Sequence, residues 1–247
     1  METGNLIWCE DGSIEFQNKN KELSKRLIEV LNSNEDNLLI GIPTYYFDDL
    51  NNYVDKARKW FEYIRIREGI SWYKLLKNKN EKIYYNGSIS RFYIDYKDRE
   101  YGKTYIPKIK KIWENRNILL VEGDKTRSGV GNDLYSNAKS IRRILAPAEN
   151  AYLKYDEILD EVKNNALKSD LILMALGPTA SILAYDLYKL GFQAIDLGHL
   201  DIEYEWCRRN AEWKTVIEDK YVNEVNHRNV GESNNKEYLS QIIAKVI

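Results

Sequence analysis

The residues most capable of chemistry lie near the C-terminal third, in Leu197-Gly198-His199-Leu200-Asp201-Ile202-Glu203-Tyr204-Glu205-Trp206. If this segment is extended, Asp201 and Glu203 point the same way, because strand side chains alternate. Two converging carboxylates are hard oxygen ligands for Mg²⁺ or Mn²⁺. If a helix begins at once, Asp201 and Glu205 share a face instead, and Asp201 becomes an N-terminal cap. His199, beside the acids, suits phosphate binding or proton donation to a leaving oxygen, and equally suits a structural role. Glu122 and Asp124 form a second acid pair at the same spacing, so the spacing alone is not distinctive.

Two other segments have the residue types of an anion site. Glu122-Gly123-Asp124-Lys125-Thr126-Arg127 leads into Gly129-Val130-Gly131-Asn132-Asp133. Glycines let a backbone approach a ligand, and Lys and Arg neutralise phosphate. The spacing is neither that of a Walker loop nor that of the dinucleotide fingerprint. A solvated turn with a surface charge cluster is the competing reading. Gly177-Pro178-Thr179 suits a strand-to-helix junction whose free N–H groups face an anion, or a plain N-terminal turn. Lys125, Arg127, Gly129, Gly131, Asn132, Gly177, Thr179 and His199 are therefore the candidate substrate-binding residues.

The elements that must position these groups alternate. Residues 20–32 have the apolar spacing of an amphipathic helix through Leu23, Leu27, Val30 and Leu31. A buried-strand pattern covers 38–42, and a second helix covers about 51–67. Residues 70–115 have little clean periodicity. Strands are expected at 118–121 and 141–146, a helix at 154–167, a strand at 171–176, a helix from Pro178 to Leu190 ending at Gly191, and a strand at 193–197. The polar tail after about 226 is expected to be loosely held until a short helix near 236–245. Strands alternating with helices imply an α/β fold, a Rossmann-like, mainly parallel sheet with helices on both faces. Ligands of such sheets bind at the C-terminal strand ends, where all three segments fall.

Composition narrows the function. The chain has 247 residues, enough for one domain with a full core, and a formal net charge of -1, which offers no general grip on nucleic acid. No run approaches the roughly 20 apolar residues of a membrane span. The N-terminus has no secretory pattern, and Cys9 and Cys207 read as free thiols, so a cytoplasmic location is expected. The richness in Lys, Asn and Ile suggests an AT-rich bacterial genome. The 19 Tyr and 6 Trp supply rings suited to stacking on bases and sugars, or to plain packing.

Taken together and in order, Glu122 to Leu134, Ala138 to Pro147, Leu176-Gly-Pro-Thr-Ala180 and Ala194 to Trp206 resemble the GT-D glycosyltransferases, most strongly over 118–224. These occur in bacterial surface-glycan and adhesin-glycosylation systems. The resemblance implies one glycosyltransferase domain over residues 1–247 that binds a nucleoside-diphosphate sugar, typically a UDP-sugar. It implies that Asp201-Ile202-Glu203 is the family's Asp-x-Glu motif, holding Mn²⁺ or Mg²⁺ and the diphosphate. Lys125 and Arg127 match a basic loop. The implied reaction moves a hexosyl group, such as glucosyl or galactosyl, to a hydroxyl of a glycan or glycoprotein, with Glu122 or Asp196 as proton acceptor. Asp196 equally suits a structural acid bonded to neighbouring loops. Family members commonly begin with an Arg-Phe-Gly-Asp-Gly-Glu-like segment. Here the chain starts Met1-Glu-Thr-Gly-Asn, which reads as loss of that segment, with Glu2 its last trace. Alternative readings are a non-catalytic nucleotide-binding subunit, working with a partner glycosyltransferase or as a homo-oligomer, and another Rossmann enzyme such as a methyltransferase.

Overall fold

The structure, a computed structural model, describes residues 16–77 and 82–247. The start of the chain, including the reading of Glu2 as a trace of a family segment, lies outside the described residues. Helix α1 (Lys21–Asn32) is followed by a short strand β1 (Gly41–Ile42), helix α2 (Asp55–Leu76) and strand β2 (Tyr85–Asn86). Helix α3 (Arg99–Lys110), strands β3 (Asn117–Gly123) and β4 (Ser140–Ala146) and helix α4 (Tyr155–Asn165) come next. Strand β5 (Leu171–Ala175), helix α5 (Pro178–Lys189), strand β6 (Gln193–Asp196), helix α6 (Leu200–Arg208), helix α7 (Lys236–Gln241) and strand β7 (Ile242–Lys245) complete the order.

Five strands form one parallel sheet in the order β6-β5-β3-β4-β7. The period-two alternation of strand side chains divides the apolar residues between two faces. Leu119, Val121, Ile172 and Met174 meet Leu23 and Leu27 of α1, Ile158 and Val162 of α4, and Ile182, Leu183 and Leu187 of α5. Ile118, Leu120, Leu171 and Leu173 meet Ile109 of α3 and Leu200, Ile202, Tyr204 and Trp206 of α6. The fully buried Trp113 sits on this second face, its ring nitrogen donating to the carbonyl of Leu134 at 3.1 Å. The expected α/β architecture, a parallel sheet with helices on both faces, is thus the observed one.

Local chemistry sets the helix ends. Asn20 caps α1 by accepting from the N–H groups of Glu22 and Leu23, and Asp98 caps α3 by accepting from those of Glu100 and Tyr101. Each cap contributes about 1 kcal/mol.

Three expectations are corrected. The 38–42 run does not enter the main sheet: among the described residues β1 pairs only with β2, in parallel. Helix α2 runs nine residues past the expected end at 67. Its far turns bury Glu68 and Trp72 while exposing Ile66, Ile70 and Tyr73, so no polar face marks it as helical. The tail after 226 is anchored. The 236–245 segment is helical only to Gln241, and β7 then pairs with β4 at the sheet edge.

Candidate functional site

The three candidate segments follow the C-terminal ends of the neighbouring strands β3, β5 and β6. Helix α6 begins at Leu200, so the helical alternative holds for the acidic segment and Asp201 lies in its first turn, with His199 at the cap position. Asp201 is buried. Its Oδ1 accepts from the Gly129 N–H at 2.8 Å and from Asn132 Nδ2 at 2.9 Å. Its Oδ2 accepts from Lys220 Nζ at 2.7 Å. Glu205, one turn on, takes Asn132 Nδ2 at 2.6 Å and lies 3.7 Å from Lys220 Nζ. Asp201 and Glu205 therefore share two partners, one of them a buried ammonium.

Glu203 faces elsewhere. Two residues along a helix turn the side chain about 200° round the axis. Its carboxylate is fully buried, and Oε2 accepts from the backbone N–H of Tyr93 and of Ile94, each at 3.0 Å. Oε1 has no protein partner. Burial pushes its pKa up to about 7, against the pull of nearby Arg91. A divalent ion needs several oxygens converging on one point. Asp201 and Glu203 do not converge, and among the described residues no group of three His, Cys, Asp or Glu side chains is arranged to hold a metal ion. As arranged, this pair does not fit the Mn²⁺ or Mg²⁺ seat that the resemblance implies.

The β3 loop separates the remaining candidates. The Lys125 side chain is 22% exposed and pairs with the mostly exposed Glu232 at 2.7 Å, a partner that solvent or an anion can replace. Arg127 is buried, and its guanidinium donates to the carbonyls of Asp219 (3.0 Å) and Gly231. It ties the tail to the loop instead of facing a ligand. Gly129 has φ +75, and a Cβ there would come within 2.4 Å of the Tyr135 ring, so glycine is required for the turn. Gly131, also at positive φ, is exposed at the loop tip, and Asn132 is committed to Asp201 and Glu205.

Glu122 is fully buried in an ion pair with Arg143, and its Oε2 accepts from the Ser128 N–H at 2.7 Å. Burial raises its pKa, opposed by Arg143. Both Glu122 oxygens are thus already engaged, one by Arg143 and one by the Ser128 N–H, in a side chain closed to solvent. Asp196 is half-buried at the end of β6. It accepts from Ser181 Oγ at 2.7 Å and from the Gly198 N–H at 2.9 Å, and burial raises its pKa.

Gly177 caps α5 with φ 54 and ψ -142, a conformation open essentially to glycine alone, and makes no side-chain cap bond. Thr179 follows in the first turn, buried, with its hydroxyl unpartnered. Leu197 N–H donates to the Met174 carbonyl at 2.9 Å, which seats the starts of α5 and α6 beside each other.

Sequence reasoning missed two residues here. Arg91 Nη2 pairs with Glu224 at 2.7 Å, and the same Glu224 oxygen lies 2.9 Å from His199 Nε2. Burial and Arg91 lower the His199 pKa. Burial opposes the charge on Glu224, yet His199 and Arg91 hold its pKa well below the usual range. Both residues come from segments without periodicity, which left no signal to place them by.

A parallel sheet with helix N-termini and a basic loop at its strand ends defines an α/β fold of the kind whose ligands bind at that edge. A family model described as the glycosyltransferase GT-D fold matches residues 2–225. The chain is 33% identical over 246 residues to Glycosyltransferase GlyD of Streptococcus pneumoniae serotype 4, covering 95% of this chain and 28% of that protein. It is 36% identical over 234 residues to Probable glycosyl transferase Gly of Streptococcus gordonii, covering 94% and 34%. Among solved structures, one described as domain of unknown function 1792 with a distinct glycosyltransferase fold superposes with a TM-score of 0.89 at 37% identity, over 100% of this chain and 87% of that one. A new glycosyltransferase of the same domain type from Streptococcus sanguinis gives 0.90 at 35% identity, over 100% and 90%. The chain belongs to the GT-D glycosyltransferase family. It spans about a third of the length of the curated relatives it matches. Among the described residues, no helix is long and apolar enough to cross a membrane.

Proposed function

We propose that this domain transfers a hexosyl group from a UDP-sugar to a hydroxyl of a glycan or glycoprotein. One observation carries the reading: helices α5 and α6 begin at the C-terminal ends of the neighbouring strands β5 and β6, on the edge where Lys125 leaves β3. The free N–H groups of a helix's first turn and its positive end favour a diphosphate there. Lys125 adds a full charge once it releases Glu232.

In the reaction, the acceptor oxygen forms a bond to the anomeric carbon. The bond from that carbon to the diphosphate oxygen breaks, and its electron pair leaves with UDP. Charge then grows on the diphosphate, where Lys125 and the helix ends stabilise it. The acceptor proton goes to a carboxylate. Of the two expected for this, Asp196 is the one that solvent reaches, while Glu122 is closed off from it.

Calorimetric titration with UDP, followed by UDP-release assays with UDP-glucose and UDP-galactose, tests this. Binding with turnover supports transfer. Binding that never leads to turnover, even with a co-purifying partner, points to a nucleotide-binding subunit instead. Binding of S-adenosylmethionine but not UDP points to a methyltransferase.

A further inference from the structure

We propose that Glu203 is a positioning residue: its carboxylate docks the 91–96 turn, and through it the helical layer built on α2, against the strand ends. The site just described gives this docking its use, so the inference rests on the proposed donor-binding role.

The geometry is specific. One buried oxygen of Glu203 receives two consecutive backbone N–H groups, those of Tyr93 and Ile94. Buried amides of this kind need a partner, and a carboxylate is a strong one. The turn is in turn sewn to the α2 layer. The Val54 N–H donates to the Asp95 carbonyl at 2.9 Å, the Lys97 N–H donates to the Asn52 carbonyl at 2.9 Å, and Tyr53 and Tyr96 pair across an isolated bridge. The Tyr53 ring packs edge-on against Phe61, inside the core of that layer. The turn also meets the strand-end rim: Ser90 Oγ lies where a Cβ on Gly198 would be 3.1 Å away, and Arg91 reaches Glu224 beside His199.

Helix α6 therefore fixes two walls with two acids. Asp201 holds the 129–132 loop on one side and Glu203 holds the 91–96 turn on the other. Both roles require a hydrogen-bond acceptor. Neither requires that the two carboxylates share an ion.

The test compares Glu203→Ala with Glu203→Gln. Glutamine keeps an acceptor for both amides and removes the charge. Amide hydrogen exchange reads the docking, and UDP titration with and without Mn²⁺ reads the site. The expected result is exchange at Tyr93 and Ile94 at least tenfold faster in Glu203→Ala, with Gly129 unchanged. In Glu203→Gln, protection is retained and UDP affinity stays within threefold of the parent protein. Unchanged exchange in Glu203→Ala overturns the proposal. So does a Glu203→Gln protein with parental exchange that has lost Mn²⁺-dependent UDP affinity tenfold or more, because then the charge and not the acceptor is needed. If the parent protein binds no UDP, the donor reading fails while the exchange comparison still decides the docking.

Discussion

Lys220 Nζ stands 2.7 Å from Asp201 Oδ2, with both side chains all but removed from solvent. The ammonium is thus the buried counter-charge of Asp201. A buried pair of this kind adds little over an apolar replacement, but removing one member leaves the other charge uncompensated.

Lys220→Met is accordingly expected to destabilise the fold by about 3–5 kcal/mol, since Asp201 loses its counter-charge inside the protein. Combining it with Asp201→Asn should recover most of the loss, because no lone charge remains. Urea denaturation of the three variants checks this. A single variant within 1 kcal/mol of the parent would show that Asp201 is satisfied by Gly129 and Asn132 alone.

Glu203 gives stability a pH dependence. Its pKa in the folded protein, about 7, lies above the ordinary 4.5. Between these values the folded state holds a proton that the unfolded chain has released. Stability therefore falls as pH rises from about 4.5 to 7, by on the order of 3 kcal/mol from this group. Glu203→Gln should flatten that part of the profile and match or exceed the parent at pH 8. Denaturation midpoints across the range test it, and parallel profiles for the two proteins would refute it.

At Gly177, alanine would be forced into φ 54 with its Cβ 2.4 Å from the Phe16 ring. Gly177→Ala is expected to cost roughly 1–3 kcal/mol and to move the start of α5. A melting temperature equal to the parent's would show that the junction relaxes freely.

Lys125→Ala should weaken UDP binding by about 1.5–3 kcal/mol, the range for a hydrogen bond to a charged group, and leave stability nearly unchanged, because its ion pair with Glu232 is exposed. Calorimetry beside a denaturation curve separates the two effects. Loss of stability without loss of affinity would make Lys125 a structural residue.

The sheet was legible because Ile118-Leu-Leu-Val121 and Leu171-Ile-Leu-Met174 are continuous apolar runs, the signature of strands covered on both faces. Helices α1 and α4, packed on it, each showed one clear apolar side. The far turns of helix α2 did not, because they expose Ile66 and Ile70 and bury Glu68. β7 was hidden because its side chains are half in contact with solvent at a sheet edge, where alternation is easily read as a helix face. At the site, sequence showed which residue types cluster at the strand ends. It could not show that Asp201 and Glu203 diverge, since their direction depended on whether α6 begins at Leu200. Nor could it show that Lys220 and the Tyr93 and Ile94 amides, distant in sequence, claim those carboxylates.

The most direct measurement is calorimetric titration of the protein with UDP, run with and without Mn²⁺ and followed by release of UDP from a UDP-sugar in the presence of acceptor glycan. The account predicts saturable UDP binding that Lys125→Ala weakens at least tenfold, and sugar-dependent turnover. Absence of UDP binding in both conditions would contradict it.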